Sequence, residues 1–235
     1  MNNNNFVLTS SLNYIGTYEK KYIDSIYTEK LLYAISKRFF DIIISLIGIV
    51  IFIPFLIIIK VLYLLTGDTK PIIFRQDRIG KNGQAIKIYK FRTMVVNAEE
   101  LLEQMMNQDP KIKEEYLTNK KLKNDPRLTK IGKHLRKLSI DEFPQFINIL
   151  KGDMSVVGPR PYLFREKEDM GFYFNYVIKS KPGLTGIWQV SGRSNTTFEK
   201  RLKLDKYYEN NKGIKLDLEI FLKTFYKVLK KEGSR

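Results

Sequence analysis

Over most of this chain apolar and polar residues mix within a few positions, but from Ile42 to Ile59 the mixing stops. IIISLIGIVIFIPFLIII carries no charge, and 15 of its 18 residues are Ile, Leu, Val or Phe. At roughly −0.5 kcal/mol per such residue on an insertion scale, the run gains on the order of −7 kcal/mol on entering lipid, which outweighs a proline costing ~3. A buried helix of a soluble protein normally keeps a polar face and this one shows none, so the pattern predicts insertion into a bilayer. Lys30, Lys37 and Arg38 precede the run, and Lys60, Lys70, Arg75, Arg78 and Lys81 follow it. Positive charge at both ends favours the cytosol for both, which one straight crossing cannot satisfy. A helix that breaks at Pro54 and returns can, so a re-entrant insertion is expected.

Beyond the run the periods shorten. PIIFRQDRIGKNGQAIKIYKFRTM, residues 71–94, alternates around Lys-Asn-Gly and predicts a β-hairpin, with Gly83 supplying a positive φ. Residues 97–123 read as charged helix divided by Pro110. In DPRLTKIGKHLRKLS, Arg127, Lys130, Lys133 and Arg136 recur at helical spacing with Lys137 beside them, either as a solvated or lipid-facing stripe or as part of a substrate site. GDMSVVGPRPY, 152–162, sets Arg160 between two prolines, and KPGLTGIWQVSGRS, 181–194, holds three glycines, the single tryptophan and Arg193. Long Gly-rich loops inside a domain usually bind something, yet neither matches a Walker A or dinucleotide fingerprint. Near the C-terminus Leu218, Leu222, Phe225 and Leu229 share one helical face, which suits core packing and an interfacial helix equally.

Composition narrows the chemistry. At 235 residues and 43% hydrophobic content the chain can bury a real core. It has no cysteine and one histidine, His134, which nearly excludes disulfides, thiolate catalysis, Cys/His zinc sites and a Ser-His-Asp triad. Any reaction must rest on carboxylates, lysines, arginines or a metal they hold. A net charge of +16, from 41 Lys and Arg against 25 Asp and Glu, suits an anionic partner such as nucleic acid, a membrane surface or a phosphorylated substrate. The opening MNNNN lacks the basic region and small-residue cleavage site of a signal peptide, so a disordered tail and no secretion are expected.

The strongest candidate chemistry lies in LSIDEFPQFINILKG, residues 138–152, where Asp141 and Glu142 stand just before Pro144. Ser139 and Glu142 fit a capping box, but Pro144 would then fall at the fifth helical position, where it is unfavourable. With Asp141 as the cap, Pro144 sits harmlessly in the first turn. A carboxylate there faces the positive end of the helix dipole, which also favours phosphate, so capping and reactive positions can coincide.

KRFFDIIIS, FRQDRIGKNG, KIYKFRTM, the long run from DPRLTKIG to SVVGPRP, KPGLTGIWQVSGR, RLKLDKYY and LDLEIFLKT succeed one another from residue 37 to 224. In this order they resemble the bacterial sugar transferases, the monotopic polyprenyl-phosphate phosphoglycosyl transferases. The resemblance implies transfer of a phospho-sugar from a UDP-sugar to a polyprenyl phosphate, with release of UMP, at the cytoplasmic face of the bacterial plasma membrane. It further implies Asp141 as nucleophile with Glu142 its partner, both holding Mg²⁺, and Lys90, Arg136, Arg160 and Arg193 near the substrate phosphates. Many members break their membrane helix at Ser-Pro, whereas here Ile53 precedes Pro54.

The expected fold is α+β and mainly helical: a flexible segment 1–30, a membrane-inserted re-entrant helix 31–66 broken at Pro54, and a cytoplasmic catalytic domain 67–235 with a small β-hairpin and interfacial amphipathic helices. Expected partners are a UDP-sugar, a polyprenyl phosphate and membrane lipid, with homo-oligomerisation open and no nucleic acid. The competing expectation is a membrane-anchored basic protein that merely holds anionic lipid or nucleic acid. It needs only charge and leaves the acid pair and both Gly-rich loops unexplained.

Overall fold

The computed structural model describes the backbone of residues 3–192 and 196–230, with side chains from Tyr27 onward in those stretches apart from that of Leu229. The chain divides after Phe40 into two units. The first is the beginning of helix α1 (Asn3–Leu65). Of segment 1–30, expected to be flexible, residues 1 and 2 and the side chains up to residue 26 lie outside the described residues, and the backbone from Asn3 is helical.

In the second unit α1 forms a wall of the body. Its buried positions, Asp41, Ser45, Gly48, Phe52, Ile59 and Tyr63, keep to the repeat of a single helix face. Val50, Ile53, Ile57 and Leu65 on the remaining surface are exposed. A run that looked apolar all round is therefore divided by its packing into a seam and a bare face. Gly48 is needed on the seam, because a Cβ there would lie 2.5 Å from the ring of Phe146. The break expected at Pro54 does not interrupt the helix, which continues to Leu65. A proline removes one backbone hydrogen bond and can bend the axis, while helical turns resume on either side.

The hairpin forms as expected. Strands β1 (Ile73–Ile79) and β2 (Ala85–Phe91) pair antiparallel with Phe74 opposite Lys90. Asn82 and Gly83 take φ of 58° and 77° in the turn. Helices α2 (Ala98–Gln108) and α3 (Pro110–Asn119) meet at Pro110, and Asp109 caps the second by accepting from the Lys111 N–H. Proline at the first helical position loses nothing, since that N–H has no partner within the helix.

Helix α4 (Lys130–Lys137) begins at Thr129, whose hydroxyl accepts from the Gly132 N–H at 2.8 Å. The basic stripe expected along it is shorter than the sequence suggested. Arg127 precedes α4 and is buried in a two-pronged pair with Asp125, at 2.8 and 2.6 Å.

The expected cap at the acid pair is also corrected. After α4, Ser139 turns the chain with φ 57°, residues Ile140–Glu142 form a 3-10 turn, and α5 (Gln145–Lys151) starts behind Pro144 with no side-chain cap. Local amides that a cap would satisfy are already bonded: Phe143 N–H to Ile140 O, Phe146 N–H to Phe143 O and Ile147 N–H to Pro144 O. Asp141 is thus free of capping duty.

Strand β3 (Ser155–Val157) pairs in parallel with β4 (Gly183–Thr185), so each Gly-rich loop contributes a strand to the other. Gly158 and Gly183 touch through their backbones, and a Cβ on Gly183 would lie 2.1 Å from the Gly158 nitrogen. Those two glycines serve close approach. Between the strands come α6 (Lys167–Met170) and α7 (Phe174–Val177); after them come α8 (Ile187–Val190), α9 (Phe198–Asn211) and α10 (Ile214–Leu229). On α10, Ile220 is buried while Leu218, Leu222 and Phe225 are exposed, so the apolar face noted in the sequence is not the one that meets the core.

Two apolar clusters underlie the charged residues of the second unit. Phe52, Ile59 and Tyr63 of α1 pack with Ile72, Phe91 and Leu135, and Ile140 and Phe143 on either side of the acid pair lie against them. Ile79, Tyr162, Met170, Val177, Phe198 and Leu202 form the second cluster, under the loop that carries Arg160.

Candidate active site

Asn148 of α5 bonds the edge of β2 as a strand would, its Oδ1 accepting from the Tyr89 N–H at 3.0 Å and its Nδ2 donating to Lys87 O at 2.8 Å. That fixes the acid pair beside β2. Lys90 Nζ then reaches Glu142 Oε1 at 2.7 Å. Asp141 is 9% exposed, and burial, reinforced by the charge of Glu142, pushes its carboxyl up to about 6 against the pull of Lys90 and Arg136. Arg136, in the last turn of α4, is steadied by Thr93, whose hydroxyl accepts from its Nε at 3.0 Å.

Arg160 approaches from the opposite side on the Pro-Arg-Pro loop. Asp205 of α9, fully buried, accepts the Arg160 backbone N–H at 3.2 Å and the Tyr162 hydroxyl at 2.8 Å through one oxygen. Burial drives its carboxyl up to about 7 although both hydrogen bonds pull down. The Arg160 guanidinium lies 5.3 Å from the ring of Trp188, and that of Arg201 lies 5.6 Å from the same ring. The loop is further tied by Ile79 N–H to Tyr162 O at 2.9 Å and Gly183 N–H to Pro159 O at 2.8 Å.

The structure therefore gathers Asp141, Glu142, Lys90, Arg136 and Arg160 on the walls of one open cleft of about 1690 Å³. Arg193 lies outside the described residues, and Pro54 is not on these walls. The walls mix charged groups with apolar side chains, Ile44, Ile47 and Ile51 of α1 and Phe221, Phe225 and Val228 of α10 among them. A ligand with an anionic head and an apolar tail would find partners for both on such walls.

Sequence reasoning missed the residues that hold the charged ones in place. Thr93 and Asp205 lie within the family motifs KIYKFRTM and RLKLDKYY, but neither residue was singled out. Both are buried. Among the described residues no three acidic or histidine side chains gather as a metal cage. The adjacent carboxylates of Asp141 and Glu142 are still an adequate protein share for Mg²⁺, which commonly takes one or two carboxylates and completes its shell with phosphate and water.

Known proteins resemble this chain over most of its length. The bacterial sugar transferase family is matched over residues 32–231. Undecaprenyl-phosphate galactose phosphotransferase of Salmonella typhimurium is 41% identical over 198 residues, covering 84% of this chain and 41% of the relative. UDP-glucose:undecaprenyl-phosphate glucose-1-phosphate transferase of Klebsiella pneumoniae is 39% identical over 201 residues, covering 81% of this chain and 39% of its own length. The exopolysaccharide production protein ExoY of Sinorhizobium fredii is 40% identical over 200 residues, with 85% of this chain and 88% of the relative covered. The chain thus spans less than half of several relatives and most of another.

Proposed function

The chain belongs to the bacterial sugar transferases, and from that membership we propose that it moves a sugar 1-phosphate from a UDP-sugar to undecaprenyl phosphate, releasing UMP and opening the assembly of a surface glycan. The observation that carries this reading is the acid pair. A carboxylate made costly to ionise by burial shares a cleft with Lys90, Arg136 and Arg160, and the walls of that cleft carry both charged and apolar side chains.

The reaction is set by what these groups can do. The Asp141 carboxylate attacks the β-phosphorus of the donor, forming an O–P bond as the bond to the UMP oxygen breaks, and UMP leaves with that electron pair. Oxygen of the lipid phosphate then attacks the same phosphorus and restores Asp141. Splitting the transfer lets one carboxylate serve a soluble donor and a lipid acceptor in turn. Lys90 holds Glu142 in place, and Arg136 and Arg160 gather phosphates that repel one another. Asp141 and Glu142 are the residues that would hold Mg²⁺, which when bound neutralises pyrophosphate charge.

The competing reading, a membrane-anchored basic protein that only holds anionic lipid or nucleic acid, accounts for the charge of +16 but gives a buried, unfavourably ionised Asp141 no purpose. The deciding experiment incubates the purified protein with Mg²⁺ and a panel of UDP-sugars labelled in the β-phosphate, with and without undecaprenyl phosphate. Expected are UMP release in amounts matching the protein, and label on the peptide containing Asp141, before any lipid is added. UMP that appears only with lipid, with no trapped adduct, would favour direct attack by the lipid phosphate.

The same reading places the protein at the cytoplasmic face of the plasma membrane, with the exposed face of α1 and Leu218, Leu222 and Phe225 of α10 against lipid. The helix from Tyr27 to Leu65 is long and apolar enough to cross by length and composition alone. Its basic flanks favour the cytosol at both ends, which a helix unbroken through Pro54 meets only by bending there. Single cysteines placed at Ser36 and Thr66 in this cysteine-free chain should both resist an impermeant thiol reagent in intact cells and both react once cells are opened. Labelling of one alone in intact cells would establish a full crossing.

A further inference from the structure

Beside Glu142 and Lys90 a hollow of about 20 Å³ opens from the cleft, sharing Arg78, Arg160 and Trp188 with its walls. It has room for one oxygen-sized group and not for a whole ligand. Among the described residues, the buried nitrogens Gln145 Nε2, Arg78 Nε, Arg160 Nε and Trp188 Nε1 have no hydrogen-bond partner, and all four residues line this hollow. Gln145 is 2% exposed and Arg78 8%. Against these four donors stands one unpartnered acceptor, Gln189 Oε1, whose amide nitrogen is fixed on Leu184 O at 3.1 Å.

Buried donors left unmade are costly, and four of them on residues that line one small space call for an acceptor. A water accepts two hydrogen bonds at most, too few for this set. Charge points the same way: among the described residues on the walls, Arg78, Arg160 and Lys90 stand with one carboxylate, Glu142. Burial and the neighbouring Arg160 push the Arg78 guanidinium down to about 10, although Glu166 and Glu142 pull the other way. Arg78 is not loose: its NH1 donates to Pro161 O at 3.1 Å and its NH2 to the Gln76 side chain, which leaves Nε for a ligand.

We propose that the hollow is a phosphate subsite in which Arg78, Gln145 and Trp188, together with Arg160, take an oxygen of the nucleotide phosphate that leaves. This rests on the reading of the donor as a sugar nucleotide. The attacked phosphorus must come within bonding distance of Asp141, and Asp141 is not on the hollow's walls. The phosphate seated there is therefore the other one. Holding it stabilises the charge that develops as the P–O bond to the nucleotide breaks, at the place where an oxyanion needs preset donors.

Trp188 is the single tryptophan of the chain and reports on its own indole N–H. The full-length protein in detergent is titrated with UMP, inorganic phosphate, uridine and farnesyl phosphate while tryptophan emission is followed. UMP and, more weakly, phosphate should change the emission saturably, and uridine should not. Arg78→Gln and Gln145→Met should each weaken UMP binding about tenfold, the loss expected for one hydrogen bond to a charged group. Gln145→Met should melt no lower than the parent, because the amide nitrogen it removes has no partner among the described residues. Unchanged UMP affinity in both variants, a uridine response equal to that of UMP, or a lower melting point for Gln145→Met would overturn the subsite. A response to farnesyl phosphate alone would give the hollow to the lipid and overturn its assignment to the nucleotide. UMP binding is read without turnover, so loss of the transfer reaction with intact UMP binding would count against the proposed function and leave the subsite standing.

Discussion

Asp141→Asn is expected to abolish sugar-phosphate transfer, by on the order of 10⁴-fold or more, while the protein stays folded and melts no lower than the parent at pH 8. Asparagine keeps the size of the side chain and removes the anion that attacks. Stability should not suffer, because the carboxyl sits at about 6 in the folded protein against an ordinary 3.8, raised first by burial and then by Glu142. The folded chain thus holds that proton more tightly than the unfolded one. Its stabilising effect is complete below about pH 4 and is lost as pH rises through 6. At neutral pH the parent carries a buried charge that the variant lacks. Thermal melts in EDTA from pH 4 to 8 should show a downward slope for the parent that is shallower in Asp141→Asn, and transfer by the parent should rise with pH through the same window. Activity within tenfold of the parent, or a variant that fails to fold, would remove Asp141 as the nucleophile or make it a structural group.

Arg160→Lys is expected to lower kcat/KM by roughly 10- to 100-fold, the loss of about 1.5–3 kcal/mol for hydrogen bonds to a charged phosphate. Lysine retains the charge but not the planar fork, and it cannot lie against Trp188 as the guanidinium does at 5.3 Å. The backbone N–H that Asp205 holds is present in both, so the loop should keep its path and circular dichroism should not change. Steady-state UMP release measures the effect. Near-normal kinetics would reduce Arg160 to one more positive charge in a basic cleft.

How legible these features were in the sequence depended on whether their cause was local. The hairpin around Lys-Asn-Gly and the division at Pro110 are set by backbone constraints a few residues wide, and both formed as read. The acid pair was visible as chemistry but not as geometry. Ser139, with its positive φ, and Pro144 produce a 3-10 turn that a capping pattern does not describe. The gathering of Lys90, Arg136 and Arg160 around Asp141 joins a strand, a helix end and a loop distant in sequence, and family motifs carried that information where periodicity could not. The glycines of the two loops were attributed to ligand binding, yet at 158 and 183 they answer to each other. Supporting residues such as Asp205 were hidden because burial of a charge is decided by the whole fold.

The seam on α1 has its own consequence. Asp41 accepts from the Ser155 hydroxyl at 2.9 Å and the Val156 N–H at 2.8 Å, two residues before Gly158 opens the loop that carries Arg160. With Phe52, Ile59 and Tyr63 along the same line, the helix is keyed to the body like a cut key rather than tied to it like a cord. Inserting one residue between Asp41 and Phe52 would turn one end of the key about 100° against the other, and inserting seven would restore the angle but move the ends about 10 Å further apart, off their contacts. Lineages can therefore exchange what lies ahead of residue 41 more freely than they can lengthen or shorten the stretch after it. A foreign helix of equal hydrophobicity would not serve as a replacement for that stretch.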